Sequence, residues 1–309
     1  MRSNKKTKKS KRWLKITGIV ISLLVIGLGA YAYSIYHSLT SAVDTMHQPI
    51  DREKSKKRPE DITLTEKEPF SVLVLGVDER EGDRGRSDTM IVLSVNPNQN
   101  SIKMLSIPRD TRTEIVGHGT TDKINHAYAF GREEMAIDTV EHLMDIPIDY
   151  YVRVNMEGFQ DIVDAVGGIQ VNNNLEFSNE GHRFAKGLIN LNGEQALSFV
   201  RMRYDDPNGD FGRQERQRQV IGGVIKRGVS FNSVTKFGSI FDALGKNVRT
   251  NLSFDEMVDI QKNYKQAIGA IDQLQMTGTG TKINGVYYQI VSEDEIQKVQ
   301  TELKKHLEI

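Results

Sequence analysis

Four short segments, far apart in the chain, carry side chains suited to chemistry on a phosphate group. Asp78 and Arg80 end an apolar run, and Arg86, Ser87, Asp88 and Thr89 follow after a loop holding two glycines. Arg109 follows Ile107-Pro108, and the fourth segment carries Arg201 and Arg203, then Asp210, Arg213, Arg216 and Gln217. The planar guanidinium fork matches phosphate oxygens two at a time, which favours arginine over lysine for a pyrophosphate. On a helix Arg213, Arg216 and Gln217 fall at i, i+3 and i+4, one face near an N-terminus whose dipole also favours an anion. The plainer alternative is a solvated helix face with local pairs such as Glu215 with Arg218. Asp78 and Asp88 are hard carboxylates with hydroxyl neighbours. Two such ligands suit Mg²⁺, which takes its remaining ligands from water and substrate phosphates.

These residues need elements to hold them. Phe70 to Val77 is a nearly continuous apolar run, the pattern of a strand buried on both faces. Thr89 to Val95 and Ile102 to Ile107 flank the turn cluster Asn96 to Asn100 and predict a hairpin. Helical spacing runs from Ile124 to Met144 and from Met156 to Val166, with extended stretches at Tyr150 to Val154 and Ile169 to Val171. Further helices are predicted for Arg213 to about Arg227, Phe231 to Leu244, Phe254 to Ile268 and Glu293 to His306. Ser253 with Glu256, and Ser292 with Glu295, have capping-box spacing at two of those starts. A hairpin among crossover helices predicts an α/β fold, with helices on both faces of a mixed sheet. Strand carboxyl ends are where such folds bind ligands; Asp78 and Arg80 stand there, and Arg109 can point from its own strand end towards the same crevice.

The N-terminus sets the location. Arg2, Lys5, Lys6, Lys8, Lys9, Lys11, Arg12 and Lys15 precede 21 uncharged residues from Ile16 to Tyr36. At about 1.5 Å per residue that stretch spans roughly 30 Å, the hydrocarbon thickness of a bilayer. The positive-inside rule then puts residues 1–15 in the cytoplasm, 16–36 in the membrane, and the rest outside the cell. A cleaved signal peptide is the alternative, but the apolar run is too long for one. The basic run is read as this topology signal and not as a nucleic-acid site. Residues 37–69, rich in mixed charge, form a linker, and residues 70–309 form one domain.

Setting aside the eight basic residues leaves 33 bases against 41 acids, a net charge of −8 beyond the span. Arginines clustered inside an acidic domain indicate a local site rather than a diffuse basic surface. With no cysteine, disulfides, thiol catalysis and thiolate metal sites are excluded. The seven histidines show no His-Glu-x-x-His spacing, and no Gly-x-Ser-x-Gly elbow occurs. The run Thr277 to Lys282 lacks phosphate-loop spacing and reads as a hairpin turn.

The segments LVLGVDER, RSDTMIVLSVNP, KMLSIPRDT, DKINHAYAFG, VDAVGGIQV, LNGEQALSFVRMR and DFGRQERQRQV stand in an order that resembles the LytR-CpsA-Psr family of cell-wall glycopolymer ligases, over roughly residues 70–227. The resemblance implies an α-β-α sandwich, preceded by one transmembrane helix, whose apolar pocket holds the polyprenyl chain of a lipid-pyrophosphate-linked anionic polymer, wall teichoic acid by closest likeness. It implies transfer of that polymer to a peptidoglycan hydroxyl through a phosphodiester. Carried over by motif, Asp78 and Asp88 look like magnesium ligands, and Asp78 and Arg109 like the catalytic pair. Arg80, Arg86, Arg109, Lys123, Arg201, Arg203, Arg213, Arg216 and Gln217 look like pyrophosphate ligands. Two rival readings stay open: a hydrolase of the same lipid-linked glycan, and a noncatalytic envelope sensor. No motif marks the stretch after about Val229.

Overall fold

The computed structural model describes residues 33–34, 36–37, 40–41, 43–50, 55–79, 85–229, 244–245 and 247–309. The anchor expected at 16–36 and the helix expected at 231–244 fall largely outside them, as does Arg80.

The domain opens with β1 (Phe70–Val77), β2 (Ser87–Asn96) and β3 (Ser101–Ser106), then the short pair β4 (Arg112–Ile115) and β5 (Thr120–Lys123). Helix α1 (His126–Met144) leads to β6 (Tyr150–Asn155) and α2 (Met156–Ala165). A lobe of short strands follows, β7 (Ile169–Asn173), β8 (Phe177–Asn179), β9 (His182–Phe184) and β10 (Gly187–Leu191), closed by α3 (Gly193–Arg201) and α4 (Asp210–Val229). The remainder is β11 (Val248–Thr250), α5 (Phe254–Asn263), β12 (Ala270–Gln275), the hairpin β13 (Thr279–Ile283) and β14 (Val286–Ile290), and α6 (Glu293–Leu307).

Six strands make the central sheet in the order β11-β6-β1-β2-β3-β12. It is mixed: β1 runs antiparallel to β2 and parallel to β6, and β12 runs parallel to β3. The predicted hairpin forms because Asn96 Oδ1 accepts from the backbone N–H of Asn98 (2.8 Å) and Gln99 (2.9 Å), fixing the turn. Side chains alternate across β1. Leu73, Leu75 and Val77 pack with α1 and α6 on one face, while Phe70 and Val72 pack with α4 and α5 on the other. The sheet is thus covered on both faces, as its continuous apolar strands require.

Several boundaries differ from the sequence reading for local reasons. Helix α1 breaks at Gly131 and Arg132, whose backbone is non-helical, Arg132 lying at φ 55°. The helix predicted for Phe254 to Ile268 ends at Asn263 and continues as a 3₁₀ turn, Lys265–Gly269. Ser253 and Glu256 form the full capping box. At α6 only half of one forms: Ser292 caps the helix, but the Glu295 carboxylate accepts from Thr277 N (3.1 Å) and Oγ1 (3.0 Å) instead. The run Thr277 to Lys282 is not itself a turn. Thr279 to Ile283 is a strand, and the chain reverses at Asn284 and Gly285, both at positive φ.

Candidate functional site

The crevice at the carboxyl ends of β1 and β3 collects residues from four of the predicted segments. At the start of β2, Gly76 pairs with Thr89 but Val77 pairs with Ser87, so Asp88 is the extra residue of a β-bulge. A bulge re-aims a side chain, and Asp88 lines the mouth of a cavity. The same antiparallel pairing brings Asp78 N to 3.4 Å from the carbonyl of Arg86. A methyl group on Gly76 would stand 2.8 Å from Thr89 Cβ, so glycine lets β2 lie close here.

Arg109 leaves the end of β3 behind Pro108 and donates to Asp88 Oδ1 (2.8 Å). Its Nε lies 3.8 Å from Asp110, whose other oxygen accepts from Lys123 Nζ at 2.7 Å. Burial alone would lower the Arg109 pKa, but Asp88, Asp210 and Asp110 together hold it above the ordinary value. Arg213, near the start of α4, pairs with Asp210 at 2.6 Å. Its pKa is lowered, by burial first and by the nearby cations Arg109 and Arg203. Among the described residues its buried Nε has no hydrogen-bond partner. A crowded, desolvated guanidinium with an unmet donor is what an anion would relieve.

Gln217, one turn along α4, donates to Thr89 Oγ1 (2.8 Å) and faces the same cavity. Arg201, at the end of α3, lines it too and donates to Glu180 at 3.4 Å. Arg203 acts on Arg213 electrostatically, and the exposed Arg86 stands at the β1–β2 connection.

Arg216 is different. It does not line the cavity but turns inward, 5% exposed, donating to the carbonyls of Phe199 (3.0 Å) and Met202 and to Asp206. The expectation that Arg213 and Arg216 present one joint face therefore gives way: i and i+3 are about 60° apart around the helix, enough for one to reach the crevice and the other the α3–α4 joint. Arg218 is also buried and donates to Ser106 Oγ (2.8 Å) and Gln273 (3.1 Å), not to Glu215.

Sequence reasoning missed Asp206 and gave Asp210 and Gly212, though inside a quoted motif, no role of their own. A methyl group on Gly212 would lie 1.9 Å from Asp206 Oδ2, so the glycine of the Asp-Phe-Gly run makes room for the carboxylate that anchors Arg216. It also missed a second charge cluster beside Asp78. Glu79 accepts from Tyr128 Oη (2.6 Å), Arg132 Nη1 (2.6 Å) and Arg153 Nη1 (2.9 Å), and Arg153 Nε pairs with buried Glu133 at 3.2 Å. Burial and Glu79 push the Tyr128 phenol up to about 12, so it stays a donor.

Behind the mouth lies a cavity of about 490 Å³. Val72, Val74, Val152 and Val154 floor it, and Phe159, Val220 and Ile221 from α2 and α4 form part of its walls. Charge is confined to the mouth, at Asp88, Arg201 and Arg213. The arrangement suits an amphiphile with an apolar chain and an anionic head.

A mixed α/β sandwich with a deep apolar pocket capped by arginines defines a class of lipid-anion-binding proteins. The chain belongs to the LytR_cpsA_psr family, whose model matches residues 33–305. It is 53% identical over 305 residues to the polyisoprenyl-teichoic acid–peptidoglycan teichoic acid transferase TagU of Bacillus subtilis (strain 168), covering 99% of each chain. The crystal structure of B. subtilis TagU aligns with a TM-score of 0.66 at 51% identity, over 79% of this chain and 98% of that one. The family protein YwtF (TagT), solved with bound octaprenyl pyrophosphate lipid, aligns with a TM-score of 0.69 at 29% identity, over 85% and 100%.

Proposed function

We propose that the protein transfers an anionic glycopolymer of the wall teichoic acid class from a polyprenyl-pyrophosphate carrier to a peptidoglycan hydroxyl. One observation carries this reading: an apolar cavity lined by Arg201, Arg213 and Gln217 at its polar end, with Arg109 held 2.8 Å from Asp88, which lines the same cavity. The names of the TagU relatives and the lipid in the YwtF structure support it.

In the reaction an acceptor oxygen attacks the phosphorus that bears the glycan. The bond from that phosphorus to the bridging oxygen breaks, and polyprenyl phosphate leaves with the bonding electrons. Such a transfer needs charge neutralisation and alignment more than covalent help from the protein. Arg213 and Arg201 hold the pyrophosphate at the cavity mouth, and Arg109 meets charge growing on the departing phosphate. Arg80, Arg86, Arg203 and Lys123 add positive potential around it, whereas Arg216 shapes the joint that presents α4. Asp78 is the base for the acceptor proton, through the carboxylate oxygen that a bound ion would leave free. Asp78 and Asp88 would hold Mg²⁺. The pairing of Val77 with Ser87 puts the two on neighbouring strand ends, and a pair of carboxylates suits an ion that completes its shell from water and phosphate. Bound there, Mg²⁺ would lower negative charge on the pyrophosphate.

Residues 16–36 form a single membrane anchor, with 1–15 cytoplasmic and the catalytic domain outside the cell. The tether keeps the site beside a lipid donor that does not diffuse into water. No role with nucleic acid is proposed.

The test incubates the full chain in detergent with a lipid-pyrophosphate-linked glycan, uncrosslinked peptidoglycan and Mg²⁺, with products read by mass spectrometry. A glycan–peptidoglycan adduct that Arg109→Ala abolishes is the expected result. Free glycan without adduct would instead establish a hydrolase, and tight binding with neither product a sensor.

A further inference from the structure

Resting on the transfer reading, we propose that an aromatic ledge built by Tyr288, His126, Phe130 and His118 beside Lys123 binds the acceptor's sugar rings. An unbroken line of contacts leads to it from the cavity mouth. Asp88 holds Arg109 at 2.8 Å, Arg109 lies 3.8 Å from Asp110, and Asp110 holds Lys123 at 2.7 Å. Lys123 Nζ then sits 5.9 Å from the centre of the Tyr288 ring. Tyr288 donates to Asp122 (3.2 Å), and the other Asp122 oxygen pairs with His126 at 2.7 Å. The His126 ring stands edge-on to Phe130 at 6.0 Å, and Phe130 stacks on His118 at 4.0 Å with only 7° between the planes.

None of these rings lines the apolar cavity. That placement matters because attacking and leaving oxygens stand roughly in line across the phosphorus. With the leaving polyprenyl phosphate at the cavity, the acceptor comes from outside it, and the ledge is the aromatic surface that the Arg109–Asp110–Lys123 chain ties to the mouth. Its composition fits a saccharide. Phe130 is 38% exposed, so its stacked pair with His118 presents a flat apolar surface to solvent. The C–H faces of sugar rings pack on such surfaces, while Asp122 and His126 supply polar groups for hydroxyls.

The fold also holds the ledge deliberately in place. Gln289 N donates to the carbonyl of Asp110 at 2.8 Å, which ties β14 and Tyr288 to the loop that carries Arg109. The break at Gly131 and Arg132 separates the turn bearing His126 and Phe130 from the rest of α1. Arg132, at φ 55°, is fastened by its bond to Glu79. Strained backbone that its surroundings hold in place gathers at functional sites.

The experiment has two arms on the full chain in detergent micelles. In the first, a peptide-free β-1,4-linked amino-sugar oligosaccharide is added and saturation transfer from aromatic protein protons to sugar ring protons is recorded by NMR. Transfer in the wild type, at least 5-fold weaker affinity in Phe130→Ala and His118→Ala, and retention in Phe130→Trp are expected. Equal affinity in all four proteins, or no binding at all, would overturn the ledge. In the second arm, joining is followed against acceptor concentration. The alanine variants should raise the acceptor KM about 5- to 20-fold with binding of polyprenyl pyrophosphate unchanged, and an unaltered acceptor KM overturns the ledge. Wild-type binding that Phe130→Ala removes, in a protein that joins nothing, supports the ledge and sinks the transfer reading alone.

Discussion

Helix α4 carries two arginines three residues apart that do opposite work. Arg216 has its guanidinium filled: two carbonyls and Asp206 take its donors inside the α3–α4 joint. Arg213 has one carboxylate, a buried Nε without an acceptor among the described residues, and cations for neighbours. The contrast teaches that a count of arginines does not locate an anion site. A guanidinium whose donors are already met holds the fold, and one held desolvated among like charges waits for a ligand.

The largest expected effect comes from exchanging those fates by deletion. Arg213→Ala should lower transfer by about 10²- to 10³-fold, the range seen when one donor to a developing anion is removed. Because its burial is poorly compensated, the same change should leave the urea midpoint unchanged or slightly raised. Arg216→Ala should show the reverse priority. Breaking a buried pair strands Asp206, 4% exposed at its side chain, at a cost of about 3–5 kcal/mol. Equal stability losses in the two variants, read by urea melts, would break the comparison.

Gly212→Ala sharpens it with a smaller change. The added methyl would overlap Asp206 Oδ2, which must move and loosen its hold on Arg216. A loss of about 1–3 kcal/mol is expected from this overpacking next to a buried charge. Gly212→Ala combined with Asp206→Ala should cost less than the sum of the two, since both remove the same pair. Additive losses would separate the glycine from the arginine anchor.

Much of this fold is legible in the sequence because its signals are local. The apolar run Phe70 to Val77, the asparagine-rich turn before Ser101 and the Ser253–Glu256 box each state their structure within a few residues. What escaped depends on partners distant in the chain. The bulge that aims Asp88 exists only in the pairing of β1 with β2. Arg216 turns inward because Asp206 packs over Gly212, and nothing in the 3.6-residue period tells it from Arg213. Glu295 leaves its own helix N-terminus for Thr277 across 18 residues. The hairpin that borders the crevice carries no motif, since its strands meet the site through a backbone bond, Gln289 to Asp110, that any residue can make.

The smallest effect expected is a pH dependence confined to the scaffold. The crevice cations near Arg213 are arginines, which do not titrate between pH 5 and 8, so they should hold their charge there. The scaffold does contain a titrating group in that window. His306 on α6 is 1% exposed, with Nδ1 2.6 Å from Ser94 Oγ and Nε2 2.9 Å from Ser101 Oγ. Burial, aided by Lys103, lowers its pKa below the usual value, with Asp272, Glu308 and Glu302 opposing. The folded state therefore binds fewer protons than the unfolded chain, whose histidine titrates near about 6.5. The stabilisation is fully present above that pH and is lost as pH falls towards the lower folded value. His306→Gln keeps a neutral donor and acceptor between the serines but cannot take up a proton. Between pH 8 and 5 the melting temperature of the wild type should fall more steeply than that of the variant, by about 2–4 °C for each kcal/mol in a chain of this size. Parallel curves would remove His306 as the source. If the wild type's polyprenyl pyrophosphate affinity changed with pH as its stability does, and the variant's did not, crevice and scaffold would share a titration, and the separation drawn between the two arginines of α4 would fail at the level of the whole fold.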